Sequence, residues 1–232
     1  MQALIHHLLA NPMSGPDIEV RSFQIIDEET PDRCGFAKDQ WEVVRRMIHT
    51  TGDISLAEHI RFSPDAIESG TAALAQGAPI YSDSNMIRSG LSQARLRQVN
   101  PGYKPDRITC HVADADVASE ALDKGLPRSL YAIRKAKPWL DGAIVVFGNA
   151  PVALLELNRM IVEDGIRPAL VIGMPVGFVH VVESKDELAS LGVPFIAIDG
   201  RRGGSTLAVA TVHALCTLAT QRCEQKKGGD IY

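Results

Sequence analysis

The chain has 232 residues, of which 45% are hydrophobic and 22% are charged, and its formal net charge is −4. This mildly acidic balance does not favour nucleic-acid binding. No apolar run reaches the roughly 18–20 residues that a membrane span needs, and no basic segment precedes the first apolar stretch as in a secretory signal. The four cysteines form no CxxC pair, so they favour neither a zinc site nor a disulfide framework and predict a cytoplasmic protein.

The first third of the chain, residues 1–78, is predicted to be mainly helical. Apolar positions between residues 41 and 48 follow helical spacing. Ser63 followed by Pro64 is typical of a helix start, and this helix is expected to run towards Gly77.

From residue 79 onwards, short apolar runs alternate with helical stretches. The candidate strands are IYSD at 80–83, ITCHV at 108–112, AIVVFG at 143–148, ALVIG at 169–173 and PFIAID at 194–199. Such alternation is typical of a parallel sheet that helices cover on both faces. We therefore expect a single α/β domain over residues 1–232, with a flavodoxin-like, doubly wound parallel sheet of five strands in the order 2-1-3-4-5.

Helix ends within this α/β core, residues 79–222, are marked by local signals. Ser184 stands three residues before Glu187, the spacing of a capping box at a helix start. Glycines are expected at helix C-termini, and they stand at positions 125, 165 and 192. A final helix is predicted from Ser205 to Arg222, followed by a loosely ordered tail at 223–232.

Glycine and small polar residues follow each predicted strand. The tails are SDSNM at 82–86, His111 with Asp114 and Asp116, GNAP at 148–151, GMPVGF at 173–178 and DGRRGGST at 199–206. Ligands of open α/β sheets bind outside the carboxyl ends of the strands, and glycines with free helix-start amides admit anions there. Each tail alone is also consistent with an ordinary strand-to-helix turn, but together they predict a large ligand pocket.

Several familiar sites lack their sequence motifs. There is no GxGxxG after the first strand, no GxxxxGK[ST], no GxSxG and no HExxH. Apart from the doublet His6–His7, no two histidines have metal-ligand spacing, so no metal site is predicted.

Segments along nearly the whole chain resemble one family, the precorrin-8X methylmutases of cobalamin biosynthesis, whose anaerobic-route members act on cobalt-precorrin-8. The matching segments are RSFQII at 21–26, RMIHTTGD at 46–53, FSPDAIESG at 62–70, GAPIYSDSNMI at 77–87, LPRS at 126–129, GNAPVAL at 148–154, ALVIGMPVGFVHVVESKDEL at 169–188 and GVPFIAIDGRRGGS at 192–205. The succession of IHTTGD, GMPVGFV and ESKDEL is highly specific, whereas GNAP alone is weak.

The resemblance implies an isomerase that moves a methyl group from C-11 to C-12 of a ring-contracted tetrapyrrole, giving hydrogenobyrinic acid or its cobalt counterpart. It also implies a flavodoxin-like core, a homodimer and no added cofactor. By motif match, His49 is the residue placed to protonate or hydrogen-bond ring C, and Arg128 and Ser22 are substrate-binding residues. The loop RSGLSQARL at 88–96 varies in residue type within the family, so substrate contacts there are less secure.

The chemistry of such a shift suits a histidine. Methyl migration across a conjugated ring needs neither a nucleophile nor a redox partner, but it needs an electron-poor migration terminus. A proton shared by an imidazole supplies this polarisation, and carbonyl groups at a helix end favour the protonated ring. His49 is therefore the predicted catalytic residue, with Asp53 as a candidate to orient it; without the family segments, His49 is consistent with an ordinary helix-end histidine.

The substrate of this family is a flat macrocycle with many carboxylate side chains. Arginines and backbone amides bind carboxylates well, and a broad pocket is needed for the ring. The predicted substrate-binding residues are Arg21, Ser22, Asp83, Arg128, Asn149, Arg202 and Gly203.

Two other functions stay open on the sequence. A tetrapyrrole carrier without turnover would bind the same ligand but would not need His49. A flavodoxin-like flavin or nucleotide binder would purify as a yellow or nucleotide-loaded protein, and the chain has no phosphate-binding motif to support it.

Overall fold

The structure, a computed structural model, describes residues 9–229. Its helices are α1 (Gly15–Glu29), α2 (Lys38–Thr51), α3 (Ala66–Ala75), α4 (Asn85–Gly90), α5 (Gln93–Val99), α6 (Ala115–Lys124), α7 (Arg128–Ala136), α8 (Pro151–Glu163), α9 (Val181–Ser190) and α10 (Ser205–Gly229). Its strands are β1 (Ile60–Phe62), β2 (Ile80–Ser82), β3 (Ile108–Thr109), β4 (Ile144–Phe147), β5 (Leu170–Gly173) and β6 (Phe195–Ile198). The doublet His6–His7 lies outside the described residues.

The strands form one six-stranded mixed sheet in the order β1-β6-β5-β4-β2-β3. Strands β2 to β6 pair in parallel with one another, whereas β1 pairs antiparallel with β6, so that Ile60 lies opposite Ile198. The five predicted strands are all present, and among themselves they follow the order 2-1-3-4-5.

Two details of the predicted sheet are wrong. The sheet has six strands rather than five, because β1 joins its edge; a strand of three residues is too short to show a periodic pattern. The second predicted strand, 108–112, is reduced to Ile108–Thr109. The all-parallel, five-stranded sheet is therefore corrected to an α/β fold with a mixed six-stranded sheet.

Both faces of the sheet are buried, which explains the continuous apolar character of the strands. In β4, Ile144 and Val146 pack into a core formed with α2, α3 and α10, whereas Val145 and Phe147 pack into a second core under α8 and α9. Within residues 9–229, no helix combines the length and apolar character required to cross a membrane.

Local helix signals were only partly correct. Gly125 ends α6 in the left-handed conformation, as predicted (φ 64°). Ser63 does not cap α3, whose N-cap is Asp65; its hydroxyl instead accepts a hydrogen bond from the Phe195 amide of β6 at 2.9 Å. Ser184 lies inside α9, where its hydroxyl donates to the Val181 carbonyl, so the predicted capping box is wrong.

The last helix is longer than predicted. It starts at Ser205, as the sequence indicates, but it continues to Gly229 instead of ending at Arg222. Most of the predicted tail is therefore helical, and residues 230–232 lie outside the described residues.

Candidate functional site at the carboxyl edge of the sheet

Asp83 fixes the centre of the carboxyl edge. It follows β2 directly and is only 2% exposed. Its carboxylate accepts hydrogen bonds from the backbone amides of Gly148, Asn149 and Ala150, at 3.1, 2.8 and 2.6 Å respectively. These amides form the turn between β4 and α8. Asp83, which directly follows β2, therefore holds the turn that follows the neighbouring strand β4.

Burial raises the pKa of the Asp83 carboxyl, and the three backbone donors oppose that rise. The side chain has no free face towards solvent. A direct contact between Asp83 and the substrate, as the sequence analysis predicted, is therefore not supported by this geometry. Asp83 instead has a structural role, because its carboxylate holds the turn after β4.

The loop after β6 packs against the ends of β4 and β5. The amide of Gly204 donates to the Met174 carbonyl at 2.9 Å, and the hydroxyls of Ser84 and Ser205 lie 3.0 Å apart. Gly148 approaches Ser205 so closely that a Cβ atom on it would lie 2.6 Å from the Ser205 Cα. The predicted gathering of strand-end tails at one edge is thus present for β2, β4, β5 and β6.

Lys185 holds the same loop from the opposite side. Its side chain is fully buried, and its Nζ donates to the carbonyls of Gly200 and Arg202 at 3.0 and 2.7 Å. Burial lowers its pKa to about 8, with Asp199 acting against that shift. Among the described residues, no carboxylate lies within ion-pair distance of it.

Arg202 joins this loop to the segment that follows α2. Its Nη1 lies 3.4 Å from the Asp53 carboxylate and 3.3 Å from the Ser55 hydroxyl. Hydrogen bonds from Ser55 are the main cause that lowers the pKa of Asp53. Asp53 is thus engaged by Ser55 and Arg202, and the predicted pairing of Asp53 with His49 is not among the hydrogen bonds of residues 9–229.

His49 lies on the last turn of α2, which ends at Gly52 in the left-handed conformation (φ 65°). Its side chain is exposed, and its ring packs edge-on against Phe23 of α1, with the centroids 5.4 Å apart. Arg46, on the same face of the helix, is bound to Glu19 at 2.8 Å. An exposed imidazole beside a cationic side chain is accessible to a large anionic ligand.

A cavity of about 310 Å³ opens beside this turn, between α2, α4 and the start of α10. Arg46, Thr50 and Ser205 are among its lining residues. A larger cavity of about 500 Å³ lies between α3 and the far end of α10. That second cavity is lined by Ala219 and its neighbours, about 20 Å along the helix from Ser205, so it is separate from the strand ends.

The other predicted site residues are more scattered. Ser22 and Arg21 lie on α1, where the Ser22 hydroxyl donates to the Ile18 carbonyl at 2.7 Å and Arg21 pairs with Glu28 at 3.3 Å. Arg128 is exposed at the first position of α7, and Asn149 is exposed in the turn after β4. The structure therefore brings Asp83, Asn149, Arg202 and Gly203 to the strand ends, whereas Arg21 and Ser22 lie on α1 and Arg128 lies at the start of α7.

Two residues of this region were missed by the sequence analysis. Lys185 stands in the polar stretch ESKDEL, which is typical of a solvated helix face, and His213 is a single histidine in an apolar helix. Nothing in the local pattern marks either residue, because their contacts come from distant parts of the chain. Within residues 9–229, no group of three or more histidine, cysteine or acidic side chains is arranged to hold a metal ion.

Comparison with known proteins identifies the family. The sequence profile of precorrin-8X methylmutase matches residues 17–218. A cobalt-precorrin-8 methylmutase of Leptospira interrogans is 44% identical over 219 residues, covering 91% of this chain and 97% of the relative. A precorrin-8X methylmutase of Pseudomonas aeruginosa is 40% identical over 205 residues, covering 88% of this chain and 95% of the relative.

A solved structure agrees with these sequences. The crystal structure of a precorrin-8X methylmutase from Thermus thermophilus superposes with a TM-score of 0.81 at 45% identity, covering 90% of this chain and 98% of that one. The resemblance stated from the sequence segments is thereby confirmed. The chain belongs to the precorrin-8X methylmutase family, a family of isomerases.

Proposed function

We propose that this chain transfers a methyl group from C-11 to C-12 of precorrin-8X or cobalt-precorrin-8, giving hydrogenobyrinic acid or cobyrinic acid. The observation that carries the proposal is the family match, which spans residues 17–218 and so includes every predicted site residue. We further propose that the chain is a single domain with a flavodoxin-like core and that it works in the cytoplasm without an added cofactor.

His49 is the proposed catalytic residue. Its imidazole is exposed on the last turn of α2, and the hydrogen bonds among residues 9–229 do not engage its ring nitrogens. A ring that is held by packing on Phe23 keeps its orientation while its nitrogens stay accessible. Donation of a proton or hydrogen bond to ring C polarises the conjugated system and makes C-12 more electrophilic, which favours arrival of the methyl group.

The proposed substrate contacts divide into two groups. Arg202 and Arg128 are exposed guanidinium groups that suit bidentate binding of the carboxylate side chains. Asn149 and Gly203 lie at strand ends, where a flat ring can approach the backbone. Arg21 and Ser22 on α1 complete the set, but their side chains are engaged within the helix, so their contact requires rearrangement of those bonds.

A homodimer is also proposed. Large exposed apolar side chains include residues on α1 and in the loop after β5. On α1, Ile18 is 51% and Val20 is 56% exposed; after β5, Phe178 is 81% and Val179 is 68% exposed. Contiguous exposed apolar surface is typical of protein interfaces, and these two segments are the proposed contributors to it. Sedimentation velocity at micromolar concentration tests this: a mass of one chain contradicts the dimer.

The decisive experiment is an anaerobic incubation with precorrin-8X and, in parallel, with cobalt-precorrin-8, followed by visible absorption. We expect the wild type to form the product chromophore and His49→Ala to lose turnover while it keeps much of its affinity. Binding without turnover by the wild type, on both substrates, would favour a carrier protein instead. Conversion by His49→Ala at the wild-type rate would remove His49 from the mechanism.

A further inference from the structure

The cavity beside α2 combines apolar side chains with a group of polar side chains. Its volume is about 310 Å³, and its polar lining consists of Arg46, Thr50, Ser205, Thr206 and His213. No carboxylate of the described residues is part of this lining. The Thr50 hydroxyl donates to the Arg46 carbonyl at 2.8 Å, and the Ser205 hydroxyl lies 3.0 Å from that of Ser84. The Arg46 guanidinium, the Thr206 hydroxyl and the imidazole therefore remain to donate to an anionic group with several acceptor lone pairs.

The tautomer of His213 is set by a backbone contact. The Ser92 amide donates a hydrogen bond to the His213 Nε2 atom at 2.9 Å. A backbone N–H can only donate, so Nε2 must be the acceptor, and the proton of the neutral ring must be on Nδ1. His213, which lines the cavity, therefore has its N–H donor on Nδ1.

Burial, with the surrounding charges, favours the neutral ring of His213. Burial lowers its pKa to about 4, and Arg95 and Arg46 add to this effect, whereas Glu19 opposes it. Protonation would also place a second N–H against the Ser92 amide. His213 is therefore a neutral donor of fixed tautomer at every pH above about 5 at which the fold is intact.

We propose that this cavity is the subsite for one carboxylate side chain of the macrocycle, and that His213 is a specificity-determining residue that donates its Nδ1–H to that carboxylate. The inference rests on the proposed function for the identity of the ligand. It is carried by a lining that contains a guanidinium and no carboxylate, together with the fixed tautomer, and it assigns a role to a histidine that no sequence motif marks.

Two substitutions separate this role from a structural one. In His213→Asn, the shorter side-chain amide lies near the position of Nδ1, so it keeps a donor towards the cavity but loses the Ser92 contact. In His213→Gln, the longer side-chain amide reaches the position of Nε2, so it keeps an acceptor for Ser92 but loses the Nδ1–H donor. A subsite residue and a residue that merely anchors Ser92 therefore predict opposite orders of effect.

The measurement is the Kd of hydrogenobyrinic acid, the proposed product, from absorption titrations. We expect His213→Gln to raise Kd about tenfold to a hundredfold, because it loses a hydrogen bond to a charged group, and His213→Asn to stay within about threefold of the wild type. With the fully esterified pigment, whose ester carbonyls accept only neutral hydrogen bonds, the difference in Kd between the wild type and His213→Gln should become smaller. Thermal unfolding of both variants checks that each is folded.

Three results would overturn the subsite. One is the reverse order, in which the asparagine variant is impaired and the glutamine variant is not. Another is a Kd difference that is as large with the esterified pigment as with the free acid. The third is a ¹⁵N NMR spectrum of His213 that titrates between pH 5 and 8 or shows the proton on Nε2. Because these readouts use binding and the free protein, a wild type without turnover would contradict the proposed function and leave this test in force.

Discussion

Asp83 and Lys185 lie at the same edge of the sheet, and both are ionisable side chains almost without solvent contact. In both cases backbone groups make the hydrogen bonds that a buried charge needs, as donors in one case and as acceptors in the other. Asp83 accepts from three amides of the turn after β4, whereas Lys185 donates to two carbonyls of the loop after β6. Burial accordingly raises the pKa of Asp83 and lowers that of Lys185 to about 8.

The two sites differ in how strongly the stability of the fold depends on the charged side chain. Backbone amides have one proton each, and buried amides without an acceptor are rare in proteins, whereas carbonyls with an unused lone pair are tolerated better. Removal of the Asp83 carboxylate would leave three buried amides without an acceptor. Removal of Lys185 would leave two carbonyls without that donor and would also remove a buried charge. We therefore expect Asp83 to matter more for stability and Lys185 more for the position of the loop.

The largest expected effect comes from the loop that Lys185 anchors. In Gly203→Ala, the new Cβ would collide with the Met174 carbonyl and lie 2.8 Å from the Pro175 carbonyl, at a φ of 154°. We expect a loss of about 3 kcal/mol in the free energy of unfolding, measured by urea denaturation. The control is Gly192→Ala, which has positive φ but open space and should cost about 1 kcal/mol. Equal losses would show that backbone strain, not close packing, fixes the loop.

Asp83→Asn should follow, with a loss of about 2 kcal/mol in the free energy of unfolding. The new amide group places N–H donors against the amides of the turn after β4, so at least one bond is lost. Asp114→Asn is the matched control, since its pairing with Lys135 at 2.7 Å is partly exposed and worth less than about 1 kcal/mol. A smaller loss for Asp83→Asn than for this control would end the proposed role of Asp83.

Lys185→Met should cost less than about 1 kcal/mol at pH 7, because removal of a buried charge offsets two lost hydrogen bonds. The unfolded lysine binds its proton up to about pH 10.5 and the folded one only up to about pH 8. The Lys185 contribution to wild-type stability therefore rises with pH between these values, by up to about 1.4 kcal/mol per pH unit. The difference in the free energy of unfolding between the wild type and the variant isolates that slope. If the free energies of unfolding of the two proteins run parallel with pH, the predicted contribution of Lys185 is contradicted.

Arg202→Ala should have the smallest effect on stability, below about 0.5 kcal/mol, because its contacts with Asp53 and Ser55 are long and exposed. The KM of this variant for the tetrapyrrole should rise about tenfold, because a contact with a substrate carboxylate is lost. The neighbouring Arg201→Ala, whose guanidinium lies over the Phe178 ring at 5.1 Å, serves as the control. If both variants change KM equally, the effect is general charge and not a defined contact.

The sequence by itself determined the family, the five strands that pair in parallel and the edge at which their polar tails gather. These features depend on local properties: continuous apolar runs predict strands buried on both faces, and the tails after them carry the polar residues. The end of α2 at Gly52, with His49 on its last turn, follows from residues close in sequence.

Only the tertiary structure decided the features that depend on distant partners. Strand β1 exists because Ile60–Phe62 pairs with β6, although three residues carry no periodic signal. The burial of Lys185 and the tautomer of His213 depend in the same way on packing: the amide that fixes His213 comes from Ser92, 121 residues earlier in the chain. A side chain's protonation and hydrogen-bonding role are set by the groups that fold around it, and a linear pattern does not contain those contacts.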